Sequence, residues 1–437
     1  MKSNTATERL RVAIVGAGPS GAALGILLAR AGGDVTLFDD GRHPPLLVGE
    51  SLVPAVVPIL RRLGFEEETA GFSRVKPGVS FIWSPTHRVS VTFDQFVPAV
   101  FPYAYNIPRP QFDQALLAKA LAAGVRHVPV KARFETGNGN GSGAELTLAP
   151  ETLAAAPGMY EHPPHLVVDA TGRARQGARA LSIGAKLGPR KDVAHFAHFE
   201  NFAWDDEPGQ VLIRRLDAGW SWCIPLKERL SIGIVLGRDD AARLGASPAE
   251  RLEGAIATDP WLSTIGAGSK RVTSVATYAN YQLISHRGLG PGWVMVGDAF
   301  GFVDPMLSPG VLLALRSAEL VADALAPFAR SEQAPSLAEL EAALRPYAAK
   351  QTAMLSAWLD LVATFYDGRM AALFRAGRDW MSVGTNAFKN AAQNHIERHI
   401  ALQASGMGTL RRYSRGLLRF MGRYGLRGVE PAQMAIR

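Results

Sequence analysis

Three groups of residues in this chain have types and spacing that suit chemistry. The first is Gly16-Ala-Gly18-Pro-Ser20-Gly21. Glycine at these positions permits a tight turn (Gly16), close approach of a pyrophosphate to the backbone (Gly18) and close helix–sheet packing (Gly21). The phosphate then rests on a helix N-terminus, beside Ser20, where unpaired N–H groups and the helix dipole favour an anion. Asp39, 23 residues after Gly16, is placed to accept hydrogen bonds from a ribose hydroxyl pair. The second group is Trp220-Ser-Trp222-Cys-Ile224-Pro225. Two tryptophans two apart on a strand share one face, and the Ile-Pro behind them ends the regular pairing. The third is His395-Ile-Glu397-Arg-His399, whose order is HxExH and not the zinc protease HExxH, so it reads as a solvated helix face. His195 and His198 fit no shared strand face and are expected to pack or to face solvent. No Ser/His/Asp nucleophile frame is evident.

The elements that must hold these residues follow from the apolar pattern. Residues 11–15 form a short apolar strand, 22–31 an alanine- and leucine-rich helix and 35–38 a second strand, a βαβ unit with a parallel sheet. A helix over 112–123 follows, then a buried strand at 166–168 that enters Asp169-Ala-Thr-Gly172. The glycine/asparagine run 137–143 has no strand–helix frame around it and reads as a hairpin connection. Between 184 and 285 the runs become short, alternating and aromatic, as in an antiparallel sheet. A parallel-type strand returns at 293–296, a helix covers 311–326, and 336–427 is helical by period. The pattern predicts an α/β fold with a Rossmann-like dinucleotide-binding domain of the glutathione reductase type, split between 1–183 and 286–330. An antiparallel substrate domain (184–285) is inserted into it, and a helical region (331–437) closes the chain.

With its Ile-Pro, the Trp220/Trp222 motif resembles the WxWxIP signature of flavin-dependent halogenases, whose indoles stand between isoalloxazine and substrate. Val296-Gly-Asp298-Ala-Phe-Gly301 resembles the GD box of FAD-dependent monooxygenases and halogenases, in which the aspartate binds the ribityl chain. Asp169-Ala-Thr-Gly172 resembles the family's DAxG segment. Arg109 with Phe112-Asp113 resembles its R-x-x-F-D helix start, whose arginine lies near FAD. Val48-Gly-Glu-Ser51 with Pro54 resembles the GES-x-x-P loop beside the flavin. Lys76-Pro-Gly78 and Phe81-Ile-Trp83 resemble the segment that carries the catalytic lysine. An ammonium there donates hydrogen bonds while staying charged, which suits holding and polarising hypohalous acid.

The resemblance implies a phenol- or pyrrole-type halogenase that uses FADH2 from a separate flavin reductase, O2 and chloride or bromide, through a flavin hydroperoxide. The chain has no second nucleotide loop for NAD(P)H. The implied substrate is an electron-rich aromatic, free or tethered to a carrier protein. Two departures stand out. Where the family cradles halide on backbone amides, this chain has Ser308-Pro309-Gly310, and proline has no N–H to offer. That leaves Ser308 and Gly310 as the halide candidates, Gly310 also facing FAD. Leu307 stands where tryptophan halogenases carry a glutamate. A monooxygenase or oxidase without halide, and a catalytically silent flavin-binding accessory protein, are the alternatives.

Composition sets outer limits. The chain has 437 residues, 47% hydrophobic and 20% charged, ordinary for a globular protein of two or three lobes. Its one cysteine, Cys223, excludes an internal disulfide framework and a thiolate zinc site, and no metal is expected. The polar start lacks a signal peptide's features, and no stretch of 18 apolar residues is free of charge, so a cytoplasmic enzyme is expected. The formal charge is +8, and from Ala401 onward arginines 411, 412, 415, 419, 423, 427 and 437 face Glu430 alone. This basic end suits an acidic partner or an anionic membrane surface. No nucleic-acid module is recognised.

Overall fold

The computed structural model describes residues 9–84, 86–137, 145–159, 161–279, 282–331, 333–382, 387–426 and 429–436. The apolar runs of the first lobe form a six-stranded sheet in the order Leu289–Gly290, Trp293–Met295, Leu166–Asp169, Arg11–Val15, Asp34–Phe38, Arg126–Val128. All neighbours are parallel except the first pair. Parallel strands are covered on both faces, which is why they read as nearly continuous hydrophobic runs. Val12, Ile14, Val35 and Leu37 belong to the main core, under helices Pro19–Arg30 and Gly310–Ala329. Ala13, Val15 and Phe38 point the other way, into a smaller core beneath the hairpin Phe134–Gly137/Glu145–Leu148. The connection of that hairpin, 138–144, lies outside the described residues.

Register brings the carboxyl ends of the strands together. Val15 pairs with Phe38 and Asp169, and Asp169 with Met295, so the segments that follow them open on one edge. Ligands of open α/β sheets bind beyond this edge.

The second sheet runs Lys270–Arg271, Asp192–Glu200, Leu230–Gly237, Trp220–Pro225, Val211–Arg215, Gly78–Ser84, His87–Thr92, with Ala276–Ala279 also paired to Asp192–Glu200. It is antiparallel except where Val211–Arg215 lies parallel to Gly78–Ser84. The sheet is therefore not confined to 184–285, for two of its strands come from residues 78–92. That pairing spans more than a hundred residues of sequence, and local alternation carries no trace of it.

The C-terminal region is the helices Leu337–Tyr366, Arg369–Ser382, Ala387–Ala404 and Arg412–Tyr424. Leu337–Tyr366 starts at a capping box, with Ser336 and Glu339 each satisfying the other's backbone N–H. Its Trp358, Leu361 and Phe365 belong to the main core. The basic end is partly neutralised: Arg415 and Arg419 both donate to Asp360 on Leu337–Tyr366. Outward-facing Tyr413, Phe420 and Tyr424 sit among the remaining arginines, while Arg427 and Arg437 lie outside the described residues. No described helix is long and apolar enough to cross a membrane.

Candidate active site

Beyond the strand ends lies a cavity of about 680 Å³, within the range of ligand sites and large enough for an extended cofactor. It gathers Gly16, Gly18, Ser20, Asp39, Ser51, Arg109, Trp220, Trp222, Asp298, Ser308 and Gly310 from across the chain. Gly21 is the exception, for it lies beneath the loop, where a Cβ would stand 2.0 Å from the Gly16 carbonyl oxygen. Asp39 ties the glycine loop to its strand by accepting from Ala17 N–H (2.9 Å). Helices Pro19–Arg30 and Gly310–Ala329 both begin at the cavity wall, and a Cβ on Gly18 or Gly310 would meet no protein atom within 4 Å. Two open helix starts, a ribose-competent carboxylate and a second acid, Asp298, fit a dinucleotide whose phosphates need N–H donors. Burial pushes the Asp298 carboxyl up to about 6, against the pull of Arg173 and Arg109.

Lys76 does not line this cavity. It lines a neighbouring one of about 120 Å³, together with Val79, Phe81, Phe93, Met306 and Leu307. Its Nζ donates to Ser51 Oγ (2.8 Å) and to the Leu52 carbonyl (2.9 Å), and it lies 5.6 Å from the Phe93 ring centre. Burial lowers its pKa to about 7. Val211, Ile213 and Ser308 line both cavities and so form their common wall, while the two tryptophans face only the larger one. In register, Trp222, Ile213, Phe81 and Val89 stand side by side on consecutive strands. At one strand spacing per step, this apolar floor carries the sheet from the tryptophan strand to Gly78–Ser84 in about 10 Å.

The tryptophans are held firmly. Their rings lie 5.8 Å apart, and Gly233, paired with Trp222, leaves room for its indole, since a Cβ there would come within 2.2 Å of the ring. Trp222 Nε1 donates to Ser231 Oγ (3.2 Å). Trp220 Nε1 donates to Tyr366 Oη (2.9 Å), which in turn donates to Asp304 Oδ2 (2.9 Å). A helix of the C-terminal region thus fixes both the tryptophan strand and the 304–310 turn. Tyr366→Phe leaves the Trp220 N–H buried without an acceptor, an expected loss of about 1–3 kcal/mol. Chemical denaturation checks it, and unchanged stability would remove the chain of bonds as a support of the site.

The partners of several groups here have no signal in the sequence. Glu50 pairs with His198 Nε2 at 2.6 Å, both buried, so His198 is an anchor of the 50–52 loop and does not face solvent. His195 bonds Thr277 Oγ1 (2.9 Å), and burial takes its pKa down to about 4. Arg173 lies over the Tyr278 and Phe302 rings at the cavity edge. The His395/His399 face is at the surface, with His395 exposed and His399 half-buried, and the two rings meet exposed Tyr413 edge-on, with bonds to Tyr413 Oη and Ser414 Oγ. Among the described residues no cluster of His, Cys, Asp or Glu could hold a metal. At the halide candidates, the Ser308 N–H is already bonded to the Pro305 carbonyl (2.8 Å), which leaves the Ser308 hydroxyl and the helix start at Gly310.

This fold and this cavity define an FAD-binding oxidoreductase. The chain belongs to the tryptophan halogenase family, whose model matches residues 86–372, and an FAD binding domain model matches residues 9–154. It is 28% identical over 380 residues to a tryptophan 2-halogenase of Chondromyces crocatus, covering 82% of this chain and 68% of that protein. It is 29% identical over 330 residues to a 1H-pyrrole-2-carbonyl-[peptidyl-carrier protein] brominase of Pseudoalteromonas luteoviolacea, covering 72% and 76%. Among solved structures, the flavin-dependent brominase Bmp2 superposes with a TM-score of 0.70 at 21% identity, over 93% of this chain and 96% of that one. A flavoprotein/dehydrogenase from Cytophaga hutchinsonii gives 0.76 at 19% identity, over 95% and 98%. These two structures establish the fold. The protein is an FAD-dependent enzyme of the halogenase type.

Proposed function

We propose that this protein halogenates a single-ring, electron-rich aromatic held beside Lys76, with FAD in the larger cavity. The observation that carries the reading is the shared wall of Val211, Ile213 and Ser308, which joins the cofactor cavity to a buried lysine in an apolar chamber. Gly16, Gly18 and Ser20 would receive the pyrophosphate, with Gly21 packed beneath their loop, Asp39 would take the ribose and Asp298 the ribityl chain, with Arg109, Ser51 and Gly310 along the cavity. When bound and reduced, FAD supplies the oxygen activation that converts halide to hypohalous acid. Trp220 and Trp222 close one side of the cavity and exclude water. Lys76 donates hydrogen bonds to the hypohalous acid and polarises its O–X bond. A ring carbon takes the halogen as the O–X bond breaks, the ring proton leaves, and the products are the aryl halide and water.

Reducing equivalents come from a separate flavin reductase in this reading, since the sequence holds no second nucleotide loop. The brominase relative is named for a carrier-bound pyrrole, and the basic face of Arg412–Tyr424 suits an acidic carrier domain. A second reading, oxygen transfer without halide, is favoured by the donors missing at Ser308 and Pro309. Incubation with FAD, a reductase, bromide and a panel of phenols and pyrroles, followed by mass spectrometry, separates the two. Brominated product is expected. Hydroxylated product alone, whatever halide is supplied, would replace the first reading by the second.

A further inference from the structure

We propose that Glu397 is the substrate-orienting group of the Lys76 cavity, accepting a hydrogen bond from a ring O–H or N–H. The inference rests on the reading of this cavity as the substrate site.

Among the described residues that line the chamber, only Lys76 and Glu397 are ionisable. They enter from different parts of the fold. Lys76 ends the short strand Arg74–Lys76, whereas Glu397 lies on helix Ala387–Ala404, one turn before Ile400 and Ala401, which line the same chamber. Among the described residues no ion pair joins the two: Lys76 Nζ bonds Ser51 and the Leu52 carbonyl, and Glu397 bonds Gln393.

The Glu397 carboxylate is pre-oriented. Gln393, one turn earlier, donates from Nε2 to Glu397 Oε1 at 2.7 Å. Glu397 Oε2 has no hydrogen-bond donor among the described residues. Glu397 is half-buried, so this open acceptor on the wall of a mostly apolar chamber can meet a ligand that brings its own donor. The volume, about 120 Å³, is close to the ~150 Å³ of an engineered apolar cavity that takes up benzene. A single ring fills it, with one polar edge toward Glu397 and its carbons toward Lys76.

This arrangement also serves the chemistry. A carboxylate that accepts from a phenol O–H or a pyrrole N–H raises electron density in the ring, and so makes its carbons better nucleophiles toward a positive halogen. The same bond fixes which carbon faces Lys76. The substrate class is therefore a monocyclic arene that bears a hydrogen-bond donor, not its O- or N-alkylated analogue.

Calorimetric titration of the FAD-loaded protein with phenol and anisole, and with pyrrole and N-methylpyrrole, tests this. In the wild type the donor-bearing ring of each pair should bind roughly 10- to 100-fold tighter, the scale of one hydrogen bond to a charged group. In Glu397→Gln this preference should collapse, FAD affinity should stay unchanged, and any halogenated product should spread over more ring positions. A wild type that binds phenol and anisole alike, or a Glu397→Gln protein that keeps the preference, would overturn the role of Glu397. Ala401→Trp, which fills the chamber, separates that failure from a failure of the site itself. If phenol still binds with Ala401→Trp, the ring lies elsewhere and the substrate-cavity reading falls with it. If phenol binding is lost there while Glu397→Gln keeps its preference, only Glu397 is excluded.

Discussion

Lys76→Met is expected to lower product formation by about 10²–10³-fold, the usual cost of removing a donor that acts in the transition state, while FAD still binds. The geometry largely separates the two effects: Lys76 lines the small chamber and not the larger cavity, which it touches only through its hydrogen bond to Ser51 Oγ. The same substitution should change how stability depends on pH. Burial lowers the folded-state pKa of Lys76 to about 7, against roughly 10.4 for an unfolded lysine. Between these values the unfolded chain holds a proton that the folded chain has released, so this lysine makes stability rise with pH. Below about 7 both states are protonated and the cost of burying the charge is fully present. Denaturation of wild type and Lys76→Met at several pH values should show that increment only in the wild type. Because the proposed donor is the ammonium, turnover should also fall as pH rises through the lysine's pKa. Full product yield from Lys76→Met would return the residue to a structural tie between its strand and the 51–52 loop.

Lys76 also shows where reading the chain stops and folding begins. The glycine loop, Asp39 and Asp298 were legible because each follows an apolar strand directly, and parallel register then brings strand ends to one edge. Their placement needed only local pattern and the rules of βαβ units. Lys76 was marked by its neighbours in sequence, yet its chamber is roofed by Phe365, Phe374 and Ile400, about three hundred residues later. Helical period in that late segment identifies helices but not the surface they cover. Glu397 illustrates the cost. Set between two histidines, it read only as part of a solvated face, and that face is indeed at the surface, yet half-buried Glu397 also lines the chamber. The Glu50–His198 pair was hidden in the same way, by 148 residues of separation. Glycines were legible in type but not in consequence: Gly233 is needed because Trp222 lies across it in register, a partnership that only the sheet reveals.

Gly18→Val should leave the fold intact and remove the flavin. Gly18 precedes helix Pro19–Arg30 with φ −65° and ψ −178°, a conformation open to any residue, and its Cβ would meet no protein atom within 4 Å. The side chain would enter only the space proposed for the pyrophosphate. Overpacking of this kind costs about 1–3 kcal/mol, or roughly 5- to 150-fold in affinity. Gly16→Ala should behave differently. Gly16 has φ +106°, and its Cβ would stand 2.4 Å from the Ala170 carbonyl oxygen, so strain of about 1–3 kcal/mol falls on the protein itself. Titration of the two apo-proteins with FAD, beside their melting temperatures, reads out the contrast: lost affinity with normal melting for Gly18→Val, and lowered melting for Gly16→Ala. Gly310, equally open at the other helix start, supplies the remaining comparison. If Gly18→Val binds FAD normally and Gly310→Val does not, the pyrophosphate belongs at the second helix, and the assignment of Asp39 to the ribose falls with it.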